Sequence, residues 1–389
     1  MTDREHGANE PAQPRDGIDV RHDSDARRDS DAVPSALTAG AELGGGAGGR
    51  GAGGGRRKRR RGRGGEELMV PDVTFASYYG RPILQKPKWE TLDIAGYLFL
   101  GGLAGSSSVL AAGAEATGRP ALARACKVGS LVAIAGSAVA LVHDLGRPER
   151  FVNMLRTIKP SSPMSVGSWI LATYGPAAGV AAVTNVTGWF PRIGRLATIG
   201  AAVVGPAVAA YTAPLVADTA VPTWHAGHRE LPFLFVSSGA TAAGGLGMLA
   251  APVAQAGPAR RAALVGGVTE VALTRYMERR MGLPGETLRQ GRAGQLMRAA
   301  ELLSLGGAVV GGLGGRRWRA AAVVGGLAAL AGSACTRFGI FEAGVASTQD
   351  PKYTVQPQRE RLQRRAAAAT AGGSHSSETQ DGKADGWVA

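Results

Sequence analysis

Long apolar stretches broken by short polar loops fill the middle of the chain. Eight of them, each of roughly twenty mostly apolar residues, fall at about 92–114, 121–143, 166–188, 195–218, 232–254, 260–276, 296–315 and 318–337. Coiled as a helix rising about 1.5 Å per residue, such a stretch covers the ~30 Å of a bilayer's hydrocarbon core. A helix also satisfies its own backbone polar groups, which lipid cannot do for it. The pattern therefore predicts an all-α integral membrane domain with eight transmembrane helices, too many for a simple tether. Eight crossings would leave both termini on one side, with the loops after the second, fourth and sixth spans.

The flanks have no such periodicity. Residues 1–74 mix Asp, Arg, Ser and Gly, pass through a glycine-rich run from Gly44 to Gly55, and end in the basic run Arg56–Arg63. That composition predicts a disordered tail, and residues 357–389 predict a second one, leaving 75–356 as the membrane domain. The tails conceal the membrane domain in whole-chain totals, which give 44% hydrophobic residues and a mean hydropathy of -0.01. They also locate much of the formal charge of +14. The interhelical loops carry balanced Lys and Arg on the two sides. The basic N-terminal run and the C-terminal Arg359, Arg361, Arg364 and Arg365 tip the orientation towards cytoplasmic termini in a multi-pass cell-membrane protein. Membrane lipid is an expected contact of this charge, whereas nucleic acid is not, because no folded module presents the basic run.

Metal chemistry has little to work with. The two cysteines, Cys126 and Cys335, lie far apart in apolar spans, which excludes a paired-cysteine zinc site and a four-cysteine iron–sulfur cluster. Of the six histidines only His143, His225 and His228 fall near the membrane, all at its edge, so a haem held by two intramembrane histidines is not expected either. Electron transfer through such a chain would need a partner and a diffusible carrier such as quinone.

Carboxyl groups are the exception to the apolar pattern. Asp93, Glu115, Asp144, Asp218, Glu270, Glu301 and Glu342 lie within or at the ends of spans, where an unpaired charge costs at least ~2.5 kcal/mol. Asp93, Glu115 and Glu342 fall at span ends, where interfacial solvation suffices. Glu270 and Glu301 are the deeper candidates, for proton transfer or partner docking: Glu270 lies midway along its span, as a proton carrier or the partner of an arginine, and Arg298 is the neighbour available to pair with Glu301. Two polar segments on the termini side stand out: His143–Arg150, leaving the second span, and Tyr211–His225, closing the fourth. The small-residue pairs Gly101/Gly105 and Gly307/Gly311, with Gly244, Gly245 and Gly247, predict close helix packing and no phosphate loop.

Several segments together resemble the NrfD-like polysulfide reductase membrane-subunit family. They are Ser77–Leu84 (SYYGRPIL), Trp89 with Asp93, Tyr97–Gly102, His143–Arg156 (HDLGRPERFVNMLR), Ser162–Leu171, Tyr211–His225 (YTAPLVADTAVPTWH), His228–Phe233 and Arg337–Val355. The resemblance covers residues 75–356. It implies eight helices in two four-helix bundles, with menaquinone or ubiquinone bound in the first bundle and no haem or iron–sulfur cluster in this chain. The implied partners are a ferredoxin-like iron–sulfur subunit and a molybdopterin catalytic subunit, of formate dehydrogenase or polysulfide reductase type. By the same resemblance Tyr211 hydrogen-bonds a quinone carbonyl with Asp218 as proton partner, and Trp89, Trp224 and Asp93 border the pocket. Glu90 and Asp93 stand where some relatives carry Asn or His. His143, Asp144 and Arg147 take up protons, dock the partner, or merely cap a helix. Two other classes compete: a transporter, for which the chain offers no convincing internal repeat, and a structural anchor that binds no quinone.

Overall fold

The computed structural model describes residues 83–87, 89–145, 153–156 and 158–381, with side chains as far as residue 366. The basic tail expected over residues 1–74 lies outside the described residues, as does Arg147. Among the described residues all regular structure is helical.

Two antiparallel pairs come first: α1 (Thr91–Ala116) with α2 (Pro120–Asp144), and α3 (Pro163–Thr187) with α4 (Pro191–Ala217). A short helix, α5 (Pro222–Ala226), leads into α6 (Leu231–Ala250) and α7 (Gly257–Met281). After a 3₁₀ turn at Leu283–Leu288 come α8 (Gly291–Leu313), α9 (Arg319–Gln349) and α10 (Lys352–Asp381). Proline opens α2, α3, α4 and α5, where its missing N–H costs nothing and its fixed φ suits the first turn. Gly188 ends α3 in the left-handed region at φ 76°, which glycine adopts without penalty.

Seven of the described helices are long and apolar enough to cross a membrane: α1 to α4, α6, α8 and α9. Helix α7 is long enough but is not among them. Arg260 and Arg261 begin it and Arg275, Glu278, Arg279 and Arg280 end it, so its weakly charged centre covers only ~20 Å at 1.5 Å per residue. The last apolar stretch, expected to stop near 337, continues as helix to Gln349, because Arg337 is buried inside the protein instead of marking a membrane edge. Helix α10 occupies residues expected from composition to be a disordered tail; the Arg-, Gln- and Ala-rich stretch after Pro357 is made largely of strong helix formers.

Helix α1 packs against α2, α4 and α6, and α9 packs against α8 and α6. One apolar core draws on α1–α4 and α6–α9 alike, and a smaller one gathers Ala111, Leu122, Cys126, Met248 and Ala259 at the end where α1 finishes. The glycines allow the close approaches expected of them. A Cβ on Gly307 would lie 2.5 Å from the backbone nitrogen of Ala329, and one on Gly245 2.7 Å from the Gly326 carbonyl. Outside this core, Val132, Val203, Val265, Leu302 and Val324 are exposed, an apolar surface that suits lipid. Trp189, Phe190 and Trp318 are exposed at one end of the helices, as aromatics at a membrane interface are.

Candidate functional site

An apolar cavity of about 340 Å³ opens between the first four helices. Leu141 and Leu145 of α2, Met164 and Leu171 of α3, Leu215 of α4 and Met154 supply apolar walls, and Tyr97, Ser168 and Tyr211 are its polar lining groups. The two tyrosine rings meet edge to face, centroids 6.5 Å apart. Ser168 is occupied by its own helix, donating 2.9 Å to the Met164 carbonyl. The Tyr211 hydroxyl has no hydrogen-bond partner although it is buried, a condition that costs about 1–3 kcal/mol. Gly167 creates the room for that ring: a Cβ there would come within 2.7 Å of the Tyr211 Cδ2.

Beyond the termini-side end of the cavity lies a charged group that is not part of its lining. Asp93 lies one turn before Tyr97 on α1, and Asp144 one turn after Leu141 on α2. His143 Nδ1 is 2.6 Å from Asp93 Oδ2, and the Glu90 backbone N–H donates 3.4 Å to Asp144 Oδ1. One oxygen or nitrogen each from Glu90, Asp93 and His143 falls within 4.8 Å of the others. This spacing could hold a cation, which the sequence reading did not foresee. His143 is 71% exposed, so water also solvates the group.

The remaining expected site residues lie away from the cavity. Trp224 is fully buried, donates 2.8 Å to the Ile340 carbonyl, stacks 5.8 Å from Trp89 and meets Phe341 at a tilt, centroids 5.4 Å apart. The two tryptophans thus fasten the start of α1 to α9. Asp218 caps the end of α4, exposed, its backbone N–H donating to the Pro214 carbonyl. Glu301 pairs through both oxygens with Arg275, at 2.6 and 2.7 Å, where Arg298 had been expected; Arg298 reaches the Arg289 carbonyl instead.

Glu270 belongs to a second polar centre, among α6, α7 and α9. It is 2% exposed and accepts a 2.5 Å hydrogen bond from Thr336 Oγ1. Next along α9, Arg337 is fully buried, donates 2.5 Å to the Phe235 carbonyl, and holds its guanidinium 3.8 Å from the Phe235 ring centroid. Glu270 Oε2 and Arg337 Nε and Nη1 have no hydrogen-bond partner. A void of about 10 Å³ beside Glu270, Glu301 and Thr336 has room for one water.

Sequence reasoning missed Tyr97, Ser168 and Arg337 as members of these centres. The spacing of Asp93 and Tyr97 on one helix face was available as a signal; nothing in sequence tells that an arginine near a span end turns inward.

The family model described as polysulphide reductase, NrfD, matches residues 85–272, from just before α1 into α7. That range holds the whole cavity, Glu270 and the four residues of the charged end, whereas α8, α9 and Arg337 lie beyond it. A comparison with curated proteins finds no match.

Proposed function

Since the chain belongs to the NrfD-like family, whose members are membrane subunits of quinone-linked oxidoreductases, we propose that it binds a quinone in the cavity lined by Tyr97 and Tyr211. There it exchanges electrons between the quinone and an iron–sulfur partner subunit. In this reading α7 is the eighth crossing, its terminal arginines extending their charged heads to the interfaces, and α1–α4 form the quinone-binding bundle. The partner docks on the end that carries Asp93, His143 and Asp144, on the cytoplasmic side, and a molybdopterin subunit supplies the catalytic chemistry. Menaquinone and ubiquinone share the head group that the cavity would hold.

One observation carries this reading: a tyrosine with a buried, unpartnered hydroxyl lines a cavity of about 340 Å³ whose walls are mostly apolar. Ligand pockets of this kind bury an apolar body and fix its orientation with a few polar groups. A bound quinone takes up two electrons and two protons when reduced. Tyr211 would donate to a ring carbonyl oxygen, Leu171 and Leu215 would flank the ring, and Met164 and Met154 would adapt to the tail. The Asp93–His143 pair and Asp144 would exchange protons with solvent at the charged end. Glu270 would hold or pass a proton separately, through the water-sized void towards Arg275 and Glu301.

Equilibrium titration of the purified protein with a short-chain menaquinone, read by tyrosine fluorescence, tests the assignment. Tyr211→Phe should weaken binding by about five- to tenfold, the worth of one hydrogen bond. Ser168→Leu, which fills the cavity, should abolish it. Unchanged affinity in both variants would rule the cavity out as the quinone site.

The competing readings lack an equivalent observation. A transporter requires mid-membrane helix breaks lining a path, whereas each long described helix is continuous. A structural anchor offers no reason for an apolar cavity of about 340 Å³ bordered by a tyrosine whose buried hydroxyl is unpartnered.

A further inference from the structure

The end of the molecule where α7 and α9 begin is crowded with arginine and poor in carboxylates. Arg260 and Arg261 lie in the first turns of α7, and Arg316, Arg317 and Arg319 flank the start of α9, while residues 251–269 and 302–341 contain neither Asp nor Glu. Two of these arginines are structural. Arg319 donates to the carbonyls of Met248 and Ala251, at 2.8 and 2.7 Å, and to that of Leu249, so it closes the C-terminal end of α6, where the helix dipole favours a cation. Arg260 Nη1 donates 2.9 Å to the Val253 carbonyl and lies 3.4 Å from that of Gly315, which ties the loop before α7 to the turn before α9. The other three have no such task. Arg261, Arg316 and Arg317 are exposed, and the charges acting on Arg260 beside them are the like charges of Arg316 and Arg261. Glu115, the carboxylate at this end of α1, is already held by Lys127 at 2.7 Å and faces Arg195.

We infer that Arg261, Arg316 and Arg317 form a binding site for the phosphate of an anionic phospholipid. Each guanidinium presents a planar fork that matches phosphate oxygens, and an anion between neighbouring guanidiniums replaces their repulsion with attraction. The helices reinforce this. Both α7 and α9 start here with no acidic residue in the first turn, so each points the positive end of its dipole at the same surface. Apolar side chains supply the anchorage. Val265 lies one turn after Arg261 on α7, Leu313 closes α8 just before Arg316, and Val324 follows on α9, all three exposed; Trp318, exposed among the arginines, stands as aromatics do at a membrane interface. A phosphate joined to acyl chains satisfies both surfaces at once. Free phosphate or an acidic protein would cover the charges and leave the apolar band bare. The head group must also be net negative, since a zwitterionic lipid brings its own cation to compete with the arginines. The site is separate from the quinone cavity and does not depend on that reading.

The test reconstitutes the full chain in phosphatidylcholine nanodiscs and reads quenching of tryptophan fluorescence by brominated acyl chains, with Trp318→Phe identifying the part that belongs to Trp318. That part should reach half its limit at a much lower fraction of brominated phosphatidylglycerol than of brominated phosphatidylcholine. Arg261→Gln and Arg316→Gln should each raise the required fraction of phosphatidylglycerol about fivefold, the effect of one arginine beside an anionic head group. Arg192→Gln removes an exposed charge from the start of α4, which packs against α1, α3 and α6, and should change nothing. Equal quenching by the two lipids, or Arg261 and Arg316 variants that match wild type, would overturn the site. Loss of the phosphatidylglycerol preference in millimolar inorganic phosphate, but not in sodium chloride of equal ionic strength, would mark a free-phosphate site and overturn the lipid assignment. Its loss in the intact complex alone would show that a partner subunit covers the surface, and would overturn the assignment as well.

Discussion

The two polar centres of this protein solve the same problem in opposite ways. Both bury polar groups in a helical interior where lipid offers no hydrogen bonds. In the first four helices the groups are neutral hydroxyls beside open space: Tyr211 borders a cavity of about 340 Å³, its buried hydroxyl unpartnered. Among α6, α7 and α9 the groups are charged and the space is about 10 Å³. There Glu270, Thr336 and Arg337 pack against one another and against Phe235. Burying an unpartnered neutral hydroxyl costs about 1–3 kcal/mol; a guanidinium costs more, and here the Phe235 carbonyl and ring hold Arg337 while its Nε and Nη1 stay unpartnered. Open space marks the region we propose to bind a quinone, and the dense polar cluster the region we propose to hold or pass protons.

Substitutions at the two centres should separate these roles, and the largest effect belongs to Arg337. Arg337→Ala removes the fully buried guanidinium with its bond to the Phe235 carbonyl and its contact with the Phe235 ring, which should cost about 2–5 kcal/mol, as truncating a large buried side chain does, and appear as loss of folded protein in detergent thermal melts. Replacing both charges, with Arg337→Met and Glu270→Gln together, should recover most of that loss; failure to recover any would mean that Arg337 acts alone through Phe235. Next in size is Gly167→Leu, which drives a side chain into the space of the Tyr211 ring. Menaquinone binding should vanish in titrations while the melting temperature falls by only a few degrees, as overpacking costs about 1–3 kcal/mol.

Smaller effects sharpen the contrast. Glu270→Gln alone keeps a hydrogen-bonding group for Thr336 and should leave menaquinone affinity untouched, the reverse of Tyr211→Phe, which should weaken binding without lowering the melting temperature. If Glu270→Gln weakens binding as strongly as Tyr211→Phe, the two centres are one site and the comparison fails. Smallest of all is Asp218→Asn. Its carboxylate stands exposed at the end of α4, away from the cavity lining, and affinity should stay within about twofold of wild type, since exposed substitutions fall within ±0.5 kcal/mol.

Much of the architecture was legible in the chain. Apolar runs of membrane length predict the helices because a bilayer demands continuous helix, and proline at the first turns marks where several begin. Small residues at Gly245 and Gly307 predict close packing because any Cβ there would strike a neighbouring helix. Tyr211 drew notice through its family-like segment, and the structure places it on the wall of the cavity. Helix α7 was less so, since its arginines shorten the apolar run even though the chain between α6 and α8 stays helical. Trp224 resembled a pocket residue by the same route as Tyr211, yet it packs between Trp89 and Phe341. Membership of a motif does not fix the direction in which a side chain points.

The sequence by itself determined that this is a helical membrane protein with polar chemistry at one end and no cysteine cluster, because length, hydropathy and residue type act locally along the chain. Only the tertiary structure decided which groups meet. Glu301 pairs with Arg275 and not with Arg298, Arg337 points into the core, and Ser108, Ser130 and Tyr174 close one ring from three helices. Those meetings depend on the rotation and register of helices distant in sequence. Small residues permit many such arrangements, and the packing of the whole interior selects one.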